Sequence, residues 1–143
     1  MLFIVFNGLS ANKLVCFVGG VHLASRKSFK SQNGEMAFPG KLGAEWDETQ
    51  GYEAAKLCGL NALAQLHDAA GSLNAIASIL RPEGYVHAAP GYRGRPEVLN
   101  GASDLMNEVF GDAGKHARVA PSVWPAIQTR LALASLPLFA PTP

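Results

Sequence analysis

The chain has 143 residues, of which 48% are hydrophobic and 16% charged. This is enough for a single domain with one core and too apolar for intrinsic disorder. The net charge of +1 argues against a protein held mainly by nucleic-acid phosphates. All 11 acidic residues lie between Glu35 and Asp112, so both ends of the chain lack carboxylate side chains and look unlike the middle.

Two cysteines, Cys16 and Cys58, make neither a disulfide framework nor a zinc site and read as reduced thiols of a cytoplasmic protein. Met1 to Phe6 is apolar but short and has no basic leader. The apolar stretch from Leu131 to Ala140 is broken by Ser135 and Pro137, so neither end reads as a membrane span.

In chain order, Leu14 to Leu23 reads as a strand punctuated by Gly19-Gly20, and the basic, serine-rich run Ala24 to Asn33 as a solvated loop. Asn33-Gly34 suggests a hairpin closing onto Met36-Ala37-Phe38, followed by a turn at Pro39-Gly40. Asp47 with Gln50 forms the pattern of a capping box, and Ala54, Leu57, Leu60 and Ala64 follow at helical spacing until Gly71 stops the helix. Ala75 to Leu80 and Glu83 to His87 are strand-like around Arg81-Pro82, and the proline demands an edge, a bulge or a break.

Ala89-Pro90-Gly91 is a turn, and Pro96 opens a second helix with Val98, Ala102, Leu105 and Val109 as its apolar stripe. Gly111 and Gly114 end that helix, and Ala117 to Ala120 reads as the start of another strand. The order predicts an α+β layer, two helices packed on one face of a mixed sheet, in a single domain spanning residues 1–143.

Side-chain chemistry alone is sparse. His22, His67, His87 and His116 have no metal-ligand spacing, so no metal is expected, and no phosphate-binding loop or dinucleotide fingerprint implies a cofactor. Ser10, Ser72, Ser78, Ser103 and Ser135 lack a nucleophile-elbow context. Arg118, between a helix end and an apolar strand, has a guanidinium suited to bidentate capture of a carboxylate; a surface or salt-bridging arginine is the alternative.

Three collinear segments carry a resemblance. They are Phe38-Pro39-Gly40-Lys41-Leu42-Gly43-Ala44-Glu45, the helix from Gly51 to Leu66, and Val98-Leu99-Asn100-Gly101-Ala102-Ser103-Asp104-Leu105 continuing to Gly114-Lys115-His116-Ala117-Arg118. Over about residues 33–118 the chain resembles the RidA/YjgF family of imine and enamine deaminases, also called endoribonuclease L-PSP-like.

The resemblance implies a chorismate-mutase-like α+β fold, and a homotrimer with ligand clefts between subunits. It further implies hydrolysis of a small carboxylate-bearing imine or enamine to a keto acid and ammonia, with no cofactor and no nucleic-acid or membrane partner. Ala117-Arg118 matches the family's Ala-Arg step, which assigns substrate-carboxylate binding to Arg118. Gly20 matches one position of the Ser-Gly-Gln step and is the second candidate for ligand contact.

The family's water-orienting glutamate follows the arginine, but no carboxylate follows Asp112 here, so no catalytic residue is assigned and weak or lost activity is expected. A one-base shift of frame near codon 120 would permit a family-like continuation, which makes an out-of-frame C-terminus one alternative. A non-catalytic small-molecule-binding trimer is another, and an endoribonuclease a third.

Overall fold

The computed structural model describes residues 14–18, 21–27, 38, 40–121 and 130–137. Four strands and two helices follow in the order β1 (Leu14–Val18), β2 (Val21–Lys27), α1 (Glu48–Ala70), β3 (Ile76–Tyr85), α2 (Arg95–Phe110) and β4 (Arg130–Pro137). The strands form one sheet in the order β1-β2-β4-β3, with every neighbouring pair antiparallel. The helices pack on each other, and α1 lies against β2 and β4. The α+β layer is therefore present as expected.

Several boundaries differ from the sequence reading. The strand expected over Leu14 to Leu23 is two strands, paired from Leu14↔Ser25 to Val18↔Val21. The loop expected from Ala24 begins instead as the second half of β2, because Ala24 to Lys27 pair with β4 from Leu133 to Arg130. Local polarity gave no sign of this, since the partner strand lies more than a hundred residues away. The hairpin expected at Asn33-Gly34 and Met36-Ala37 lies outside the described residues.

Pro82 sits within β3, the last strand of the sheet, and register shifts lie between Ile76 and Ser78 and between Ile79 and Arg81. On the far side of β3 runs the segment around Val119, parallel to it through the bridge Glu83↔Val119. Val119 N–H donates to Pro82 O at 3.3 Å, Gly84 N–H to Val119 O at 2.9 Å and Val86 N–H to Pro121 O at 3.1 Å. Pro82 and Pro121 each lack the N–H that would extend this ladder. The strand expected at Ala117 to Ala120 is therefore a single bridge, which supplies the mixed character of the sheet.

α1 begins with the capping box: Gln50 N–H donates to Asp47 Oδ1 at 2.8 Å and Asp47 N–H to Gln50 Oε1 at 3.0 Å. It ends at Gly71, left-handed at φ 77°. Its buried face matches the expected stripe only in part. Ala54 is buried as expected, but Leu57 is half-buried, Leu60 is 49% exposed and Ala64 is exposed, whereas Gly51, Ala55, Cys58, Gly59 and Ala62 are buried together with Leu63 and Leu66.

The reason is the close approach of α2. A Cβ on Gly101 would overlap the carbonyl oxygen of Tyr52 and lie 3.1 Å from Lys56 N. Small residues line the face because the backbones nearly touch there. In α2, Val98, Ala102 and Leu105 are buried as expected, but Val109 is 43% exposed near the helix end.

Gln65 is 1% exposed, and among the described residues neither Oε1 nor Nε2 has a hydrogen-bond partner. An unpaired buried amide costs about 1–3 kcal/mol. Gln65→Met, unbranched and similar in volume, is expected to raise the midpoint of urea unfolding. A lower midpoint in urea titrations would show that Gln65 is paired in solution.

All three tyrosines hold their phenol form. Tyr52 is raised above the ordinary 10.0 by its hydrogen bond to Asp104 Oδ2 at 2.9 Å. Tyr85 is raised chiefly by its bond to Glu83 Oε2, also 2.9 Å. Tyr92 is raised chiefly by burial. Folding thus favours the protonated phenols, so this contribution is complete below the unfolded value and is lost as pH rises through the folded ones. Tyrosinate absorbance should appear at higher pH in the native protein than in the urea-unfolded chain; coincident titrations would contradict these contacts.

Candidate functional site

α2 carries Asn100 and Ser103 one turn apart, on the side away from Gly101, which packs on α1. After α2 a short 3-10 turn, Gly111–Gly114, reverses the chain. Gly114 is required there: a Cβ would overlap Met106 O and lie 2.7 Å from Met106 C. The chain then runs beside β3, and alternation along it directs Val119 to the bridge with Glu83 and Arg118 towards α2.

Four side chains meet at this point. Arg118 Nη1 donates to Asn100 Oδ1 at 2.6 Å and to Ser103 Oγ at 3.2 Å. Ser103 Oγ also lies 3.0 Å from His116 Nε2, and His116 Nδ1 contacts the carbonyl of Gly114. Ser103 is 6% exposed, His116 is half-buried and Arg118 is exposed.

Among the described residues both hydrogen bonds to the guanidinium fall on Nη1, and no carboxylate pairs with it. Arg81 and Lys115, by contrast, are paired with Glu83 at 3.1 Å and Asp112 at 2.7 Å. Among the described residues, then, no carboxylate offsets the charge of Arg118 and no hydrogen bond is made by its Nε–Nη2 edge, the geometry that takes a carboxylate bidentately.

Gly20, the other candidate for ligand contact, lies outside the described residues. Among the described residues no group of three His, Cys, Asp or Glu side chains can hold a metal ion. A separate, partly open apolar pocket lies between Phe38, Leu42, Trp46, Val86, Val98 and Leu99, with Gln50 and His87 as polar lining, and Arg118 does not line it.

The family model that matches, over residues 5–140, is described as "YjgF/chorismate mutase-like, putative endoribonuclease". The chain belongs to the YjgF/chorismate mutase-like family. The match extends at both ends beyond the segment 33–118 that carries the quoted motifs.

Protein TCP17 of Trypanosoma cruzi is 34% identical over 110 residues, covering 76% of this chain and 68% of its own. The crystal structure of a "putative endoribonuclease" of Shewanella oneidensis is 33% identical, with a TM-score of 0.80 over 95% of this chain and 91% of its own. Atu1372 of Agrobacterium tumefaciens, of unknown function, is 26% identical with a TM-score of 0.81 over 96% and 87%. These neighbours establish the YjgF fold.

Sequence reasoning singled out Arg118 but passed over its neighbours. Ser103 has no nucleophile elbow and His116 no metal-ligand spacing, so neither stands out in the sequence. The available signal is the pair Asn100 and Ser103, three apart and so on one side of α2, together with the alternation His116-Ala117-Arg118. Only the turn at Gly111–Gly114 brings the two segments together.

Proposed function

We propose that this YjgF-family chain binds small carboxylate-bearing imines or enamines at Arg118 and hydrolyses them, slowly, to a keto acid and ammonia. The observation that carries this reading is the guanidinium held through Nη1 alone, with its other edge presented and no carboxylate of the described residues neutralising it. A ligand carboxylate on that edge gains two charge-assisted hydrogen bonds.

Water then adds to the imine carbon, a proton moves to the nitrogen, and the carbinolamine collapses to a carbonyl with loss of ammonia. The chain has no carboxylate after Asp112 to orient that water, which is why slow turnover is proposed. The working unit is proposed to be a cytoplasmic homotrimer with its clefts between subunits. Among the described residues no helix is long and apolar enough to cross a membrane. The net charge of +1 makes RNA the poorer substrate.

Ammonia release from enzymatically generated 2-aminoacrylate tests the reading, beside a mass measurement by light scattering. Slow release above the uncatalysed rate, absent in Arg118→Ala, supports it. Release that is unchanged in Arg118→Ala overturns it.

A further inference from the structure

With a neutral His116 ring, the contacts around Ser103 admit one arrangement of protons. The Gly114 carbonyl can only accept, so His116 Nδ1 carries the ring proton and donates to it. Nε2 is then bare and accepts the Ser103 proton across 3.0 Å. At the other end a guanidinium can only donate, so Ser103 Oγ accepts from Arg118 Nη1. The two ends of this chain of hydrogen bonds are groups that cannot reverse, so its direction is fixed.

Both protons of Nη1 lie in the guanidinium plane, and both are used, one on Asn100 Oδ1 and one on Ser103 Oγ. Two in-plane acceptors on one nitrogen determine the orientation of the whole plane. Ser103 is buried, so water does not compete for its hydroxyl. The His116 ring keeps that hydroxyl from turning. Among the charged neighbours, Arg118 lies across Ser103 and Lys115 is tied to Asp112.

We infer that Ser103 and His116 are positioning residues for Arg118: through a fixed relay from the Gly114 carbonyl they hold its Nε–Nη2 edge in the orientation that receives a carboxylate. This rests on the reading of Arg118 as the carboxylate anchor. An anchor held in place before the ligand arrives loses less side-chain freedom on binding. Neither residue touches the substrate, so their loss should weaken affinity while leaving the fold intact.

Pyruvate is the probe, with its affinity measured by calorimetry on the intact protein at neutral pH and thermal midpoints recorded alongside. Ser103→Ala and His116→Leu should each weaken binding roughly five- to tenfold, the worth of about one hydrogen bond to a charged group. His116→Gln, which restores an acceptor for the serine proton, should recover most of what His116→Leu loses.

Long-range proton–nitrogen correlations of the His116 ring in the unmodified protein should show the Nδ1–H tautomer, a readout that survives if a variant fails to fold. An Nε2–H tautomer overturns the relay. Binding lost in Arg118→Ala but kept in both Ser103→Ala and His116→Leu overturns the positioning role alone. Equal binding by the unmodified protein and Arg118→Ala overturns the carboxylate anchor and the positioning role with it.

Discussion

Gly101→Ala is expected to lower the thermal midpoint by roughly 10 °C. The added Cβ would overlap Tyr52 O and stand 2.9 Å from Tyr52 C and 3.1 Å from Lys56 N. These are backbone atoms of α1, so no rotamer change relieves the contact and the helices must move apart. Overpacking costs about 1–3 kcal/mol and more where the surroundings cannot yield. The better helix propensity of alanine returns at most about 1 kcal/mol.

Gly59→Ala makes the fitting comparison. Its closest neighbour would be Leu105 Cδ2 at 2.9 Å, the tip of a side chain that can swing, so a much smaller loss is expected. Equal midpoints for the two variants in differential scanning calorimetry would contradict the helix contact described above. The Gly101 variant should also weaken carboxylate binding, because Asn100 and Ser103 ride on the displaced helix.

Arg118→Ala should weaken pyruvate binding roughly 30- to 150-fold, which corresponds to about 2–3 kcal/mol for loss of a charge-assisted, two-point contact. Because Arg118 is exposed and forms no ion pair among the described residues, its removal should shift the thermal midpoint by only a few degrees. Arg118→Lys should bind with intermediate affinity, since an ammonium supplies the charge without the planar fork. Full affinity in the lysine variant would mean that charge alone, not the held guanidinium, captures the ligand. The combination sought is a large loss of binding with a small loss of stability; a large loss of both would assign Arg118 to the fold.

Much of the fold was legible because its signals are local. The capping box at Asp47 and Gln50, the left-handed Gly71 and the proline near the start of α2 each act within a turn of chain. Pro82 announced a sheet margin for a similar reason: the group it lacks is its own N–H. The buried face of α1 is only partly legible: the stripe Ala54, Leu57, Leu60 and Ala64 shares Ala54 with it but misses the small residues Gly51, Ala55, Cys58, Gly59 and Ala62. What a helix buries depends on how near its neighbour comes, and Gly101 sets that distance from another helix. Arg118 was legible as a motif, but Asn100, Ser103 and His116 acquire meaning only through contacts 13 to 18 residues long in sequence.

The chain's own sequence determined where its helices start and stop, that its ends differ in charge from its middle, and which arginine matches the YjgF pattern. Tertiary structure decided what those ends are for. β1, β2 and β4 come entirely from the carboxylate-free segments and pair side by side, with β4 between β2 and β3. No local propensity could show this, because strand pairing is settled by partners distant in sequence and by the helical layer they cover. The same holds for the site: residue type made Arg118 a cation, and the packing of α2 against the segment after Gly114 gave that cation a direction.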